Sequence, residues 1–95
     1  MDLADIQTQI KARYGSVDQA SGLLFLLSVL FEECGELAAA ARRNQASAKD
    51  EAVDVIFCAL SIANLLDVDV ENVLQDKYLR KRIEEVTKSW TDVPK

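Results

Sequence analysis

The chain has 95 residues, 49% of them hydrophobic, with three glycines and one proline; that is one domain of long helices and short connections, and alone it would bury only about 60–65% of its unfolded surface. Sixteen acidic against eleven basic residues give a net charge of −5, which excludes a broad grip on the phosphate backbone of nucleic acid. The longest apolar stretches, residues 23–31 and 55–66, fall short of the roughly 18–20 residues that cross a bilayer, which excludes a membrane span.

The first helix is expected over residues 2–14, with Leu3, Ile6 and Ile10 on one stripe and Gly15 as its stop. Its start, Met1-Asp2-Leu3-Ala4-Asp5, is acidic and lacks the basic and apolar blocks of a signal peptide, so a cytoplasmic protein is expected. Ser16-Val17-Asp18-Gln19 has the spacing of a capping box and opens a second helix over residues 17–43. In it Leu23, Leu27, Leu30, Cys34, Leu37 and Ala41 alternate by four and three and mark a packing seam. A second line runs from Leu26 and Val29 into Glu33 and Glu36 and then Ala40, so two carboxylates occupy positions that the pattern buries.

Residues 44–46 break the chain, and Ser47 is placed to cap a third helix that runs to Leu66. There Glu51 and Asp54 share a face with Cys58, Ser61, Ile62 and Leu65, and again acids point inward. Between Val55 and Leu66 only Ser61 and Asn64 are polar, so this helix must be surrounded, and a second subunit is expected to complete the bundle. After the turn Asp67-Val68-Asp69, a fourth helix is expected over residues 70–89 and a tail over 90–95. Its stripe of Val70, Val73 and Leu74 continues into Lys77 and Lys81, with Arg80 beside it. These three cations are candidates for holding phosphates; they equally complement the end of a helix dipole. Cys34 and Cys58 read as buried thiols of a reducing compartment.

The acids decide the chemistry. Two i,i+3 pairs, Glu33 with Glu36 and Glu51 with Asp54, converge if the second and third helices pack antiparallel across their short joint. Buried carboxylates without a partner must take a cation or a proton. An all-oxygen site suits Mg²⁺, with Mn²⁺ able to substitute. The chain contains no histidine, which excludes the Glu-x-x-His pattern of di-iron bundles and the usual zinc sites. Glu32 sits about 100° from Glu33 around the helix and reads either as a base for water or as a solvated surface residue.

The run Glu32-Glu33-Cys34-Gly35-Glu36-Leu37, followed by Asp50-Glu51-Ala52-Val53-Asp54-Val55, resembles the EExGEL…ExxD signature of MazG-like nucleotide pyrophosphohydrolases. The resemblance continues through Ser61-Ile62-Ala63-Asn64-Leu65 to Lys77-Tyr78. It implies an all-α, four-helix MazG-like bundle completed as a homodimer or a dimer of dimers. It implies Mg²⁺ on Glu33, Glu36, Glu51 and Asp54, with Glu32 and Glu33 as candidate catalytic groups. The implied reaction cleaves a nucleoside triphosphate to monophosphate and pyrophosphate, which would clear surplus or non-standard nucleotides. Many relatives carry an asparagine where this chain has Lys81. Phe25, Phe31 and Trp90 are candidates for holding the base, and core packing or a tail explains them equally well. A phosphoribosyl-ATP pyrophosphohydrolase and a non-catalytic interaction module are the competing readings.

Overall fold

A computed structural model describes residues 1–90, so the tail expected over 90–95 lies, apart from Trp90, outside the described residues. Three long helices, α1 (Leu3–Ser21), α2 (Leu23–Arg43) and α3 (Gln45–Leu65), are followed by two short ones, α4 (Val70–Leu74) and α5 (Ile83–Val86). The described residues contain no strand, so the all-helical expectation holds, with three long helices and a broken C-terminal segment in place of four.

The first break falls at Gly22 and not at Gly15. Gly22 has φ of 89°, which glycine adopts without the Cβ penalty, and its N–H still bonds the Asp18 carbonyl to close α1. Gly15 stays helical, so the Ser16–Gln19 segment is the last turn of α1 and not the cap of α2. The next joint is a single residue. Asn44 is extended and its side chain accepts from the Ala46 N–H at 3.0 Å, so α3 begins before Ser47, the expected cap.

α2 and α3 fold back on each other as the main packed pair, and α1 lies along α3. The Gln7 side chain, 7% exposed, pins α1 in place: it donates to the Val68 carbonyl and accepts from the Val70 N–H, while Asn64 donates to the Gln7 carbonyl. Glu71 accepts from the Leu3 and Ala4 N–H groups and so caps α1 from the far end of the chain. Tyr14 meets Phe57 edge-on with ring centroids 5.1 Å apart.

The fourth helix does not persist. After α4 the backbone widens into a π-turn over Gln75–Leu79, where the Arg80 N–H reaches back to the Gln75 carbonyl. Arg82 is extended before α5, and a 3₁₀ turn over Thr87–Ser89 ends the segment. Leu79 and Ile83 are 73% and 77% exposed, so the tertiary packing that sustains a helix of ordinary propensity is missing here.

α3 ends in a Schellman motif. The Val68 N–H bonds the Ala63 carbonyl and the Asp67 N–H that of Asn64, with Asp67 at φ 59° where glycine is usual. The Asp67 ion pair to Lys11, at 3.6 Å between exposed side chains, adds little against that strain. Asp67→Gly is therefore expected to stabilise the fold by about 0.5–1 kcal/mol in a denaturant titration.

Candidate metal centre

Glu33 and Glu36 lie one helical turn apart on α2, Glu51 and Asp54 one turn apart on α3, and the hairpin at Asn44 brings the two pairs face to face. Carboxylate oxygens of Glu33, Glu36 and Glu51 lie within 4.8 Å of one another. Glu36 and Asp54 are exposed, against the expectation that all four acids point inward; Asp54 is outside that trio, but its charge reaches Glu33. Oε2 of Glu33 and Oε2 of Glu51 are both buried with no hydrogen-bond partner. In a folded protein such orphaned acceptors are rare and costly. Burial first, then the charges of Glu36, Asp54 and Glu51, push the Glu33 carboxyl above its ordinary value.

A divalent hard cation fits this donor set. Every donor is a carboxylate oxygen, the oxygens converge from two helices, and two of them lack any donor to satisfy them. Without a cation the cluster repels itself. Because the folded-state pKa of Glu33 lies above 4.5, the folded chain holds this proton more tightly than the unfolded chain. The contribution of Glu33 to stability therefore falls as pH rises through and above that value. In metal-free buffer the wild-type melting temperature should drop more steeply over this range than that of Glu33→Gln, and millimolar Mg²⁺ should flatten the wild-type slope.

The other predicted residues are placed differently. Glu32 is exposed and outside the cluster. Lys77, Arg80 and Lys81 are exposed on a segment whose main packing within the chain is against α1, not against the acid-bearing pair. The π-turn ends the inward stripe: Arg80 bonds Asp76 and Gln75, and the Lys77 ammonium sits 5.7 Å from the Tyr78 ring centre. Cys34 is exposed, against the expectation of a buried thiol. Cys58 is half-buried, and burial followed by the charges of Glu33, Asp54 and Asp18 pushes its thiol up, so it stays protonated. The candidate aromatics Phe25, Phe31 and Trp90 are 56%, 71% and 46% exposed.

The model of the MazG nucleotide pyrophosphohydrolase domain matches residues 22–87, more than half of the chain, and the matched span contains all four acids. The chain belongs to the MazG family. Its match begins at Gly22, so α2, α3 and the C-terminal segment lie inside the MazG domain and α1 precedes it. No curated protein and no solved structure matches the chain.

Asp18 is the neighbour that sequence reasoning overlooked. With a helix break expected at Gly15, it reads as part of a cap; with α1 continuous, it stands seven residues after Lys11, on the same face, and its charge reaches Cys58. The sequence carries no signal for it, since nothing in the residues marks Gly22 over Gly15 as the break.

Proposed function

We propose that this MazG-family chain is a Mg²⁺-dependent nucleoside triphosphate pyrophosphohydrolase that releases monophosphate and pyrophosphate, with Mn²⁺ able to replace Mg²⁺. The observation that carries this reading is the convergence of Glu33, Glu36 and Glu51 from two helices, with two buried oxygens left without partners. Glu33, Glu36, Glu51 and Asp54 hold the cation, which when bound neutralises phosphate charge and lowers the pKa of water. Four carboxylates without a cation would repel a polyphosphate, so nucleotide binding depends on the divalent ion. Glu32, which is exposed, and Glu33 beside it are the candidate proton acceptors for the attacking water.

The protein works as a homodimer or a dimer of dimers. Leu24, Phe31, Val53 and Ile56 on the acid-bearing pair are 56–82% exposed, and a surface so apolar belongs in an interface. Gly35 costs about 1 kcal/mol in the middle of α2, yet among the described residues no packing neighbour approaches a Cβ built there. Lys77, Arg80 and Lys81 would meet the phosphates once a second subunit is in place. Removing divalent ions with a chelator should abolish pyrophosphate release from a panel of nucleoside triphosphates, and Mg²⁺ or Mn²⁺ should restore it; chelator-resistant turnover would contradict the reading.

A further inference from the structure

A groove of about 350 Å³ runs between α1 and the C-terminal half of α3. Lys11, Asp18 and Gln19 line it from α1, and Ser61 and Asn64 from α3, with Asp67 at its end. Ser61 is 3% exposed and its hydroxyl has no hydrogen-bond partner. A serine hydroxyl in a helix is usually satisfied by a backbone carbonyl or by water, so a buried orphan lining a groove calls for a ligand group.

The groove lies C-terminal to the acids along one face of α3, and none of the four acids lines it. Asp54, Cys58 and Ser61 follow at i, i+4 and i+7 on α3. At a rise of 1.5 Å per residue, Ser61 stands roughly 10 Å along the helix from Asp54. That is the reach of a nucleoside extending from a phosphate held at the acids. From the other wall, the charge of Asp18 reaches the Cys58 thiol, after those of Glu33 and Asp54.

The lining selects the part of the nucleotide. No aromatic ring lines the groove, so it offers no stacking platform for a base. It offers acceptors, the carboxylates of Asp18 and Asp67 and the hydroxyl of Ser61, beside the donors of Lys11, Gln19 and Asn64. Sugar hydroxyls are donors of the matching kind, and a carboxylate is the acceptor that other nucleotide-binding folds present to the ribose 2′-hydroxyl. Asp67 stands at the end of the groove past Ser61, whereas Asp18 is the lining carboxylate whose charge reaches Cys58, on the acid side of Ser61.

We propose that this groove is the sugar subsite of the enzyme and that Asp18, from the helix that precedes the matched domain, sets its preference for ribose over 2′-deoxyribose. The inference rests on the pyrophosphohydrolase reading for its place in catalysis, but nucleoside binding tests it independently. The four ribonucleosides and their 2′-deoxy counterparts, free of phosphate and metal, should be titrated against labelled protein. Amide shifts are expected at residues 15–19 and 58–65, larger with the ribonucleosides, and Asp18→Asn should remove the difference while Asp18→Glu retains part of it.

Shifts confined to other residues, no shift with any nucleoside, or equal shifts with both sugars in the wild type would overturn the proposal. In turnover, Asp18→Asn should lower the ribo-to-deoxy ratio of kcat/KM about tenfold, the scale of one lost charge-assisted hydrogen bond. If the wild type cleaves nucleotides and the ratio does not move, the subsite assignment fails while the reaction stands. If no nucleotide releases pyrophosphate but the ribose-selective shifts remain, the reaction assignment fails and the subsite stands.

Discussion

Glu36→Gln and Glu51→Gln should each lower kcat/KM for nucleoside triphosphate hydrolysis by about a hundredfold or more, since even groups behind a metal ligand cost 10–100-fold when removed. The two residues come from different helices and supply adjacent corners of the same cluster. Glutamine keeps the size and one oxygen but removes the charge, so the loss should appear mainly as a weaker apparent affinity for Mg²⁺ and be partly recovered at high Mg²⁺. A surface control, Glu84→Gln on α5, should leave turnover within a factor of two.

The same substitutions should raise the melting temperature of the metal-free protein. Glu51 Oε2 is buried without a donor, and charges of the same sign surround it, so relieving that repulsion stabilises the empty fold. Opposite signs for activity and stability distinguish a metal centre from a solvated acidic face, where neither quantity would move by much.

The second large effect concerns assembly. Across the described residues, Leu60 alone among the hydrophobic side chains falls in the buried class at 8% exposure, while Leu24, Phe31, Leu79 and Ile83 are 71–82% exposed. Covering each of these would contribute about 1.5–3 kcal/mol. A single copy is therefore short of core, as its size alone predicts. Sedimentation of the wild type should report a dimer or tetramer. Phe31→Asp should shift it toward monomer, lower its melting temperature by 10 °C or so, on the order expected for losing several kcal/mol, and remove most activity. A wild type that sediments as a stable monomer would contradict the assembly.

Much of this was legible in the residues. The hydrophobic lines on α2 and α3 break at Glu33, Glu36, Glu51 and Asp54, and the structure gathers the first three of these around buried, unsatisfied oxygens. Periodicity reads such a face because each acid replaces an apolar residue at a fixed spacing. Two glycines show where reading fails. Gly15 and Gly22 are equal as letters, but only Gly22 sits where the backbone takes a positive φ, and long-range contacts decide that. Gln7 and Glu71, which hold α1 against the α3–α4 turn, could not be read as partners across more than sixty residues of sequence.

The C-terminal segment is the opposite case. Its apolar spacing writes a helix over residues 70–89, yet the chain forms α4, a π-turn and α5, because Leu79 and Ile83 find no surface to pack on. That mismatch also explains why Lys77, Arg80 and Lys81 do not reach the acids within one copy. The described residues of one copy satisfy only part of the burial that the pattern predicts, and the assembly proposed above would supply the rest.

On the proposed function, the acids of α2 and α3 serve the cleavage of a nucleoside triphosphate between its α- and β-phosphates. Phosphorus NMR of nucleoside triphosphates incubated with the protein and Mg²⁺ reads the products directly. Equal growth of nucleoside monophosphate and pyrophosphate, absent with Glu51→Gln, is the predicted result. Orthophosphate with nucleoside diphosphate, or pyrophosphate release undiminished in Glu51→Gln, would contradict it.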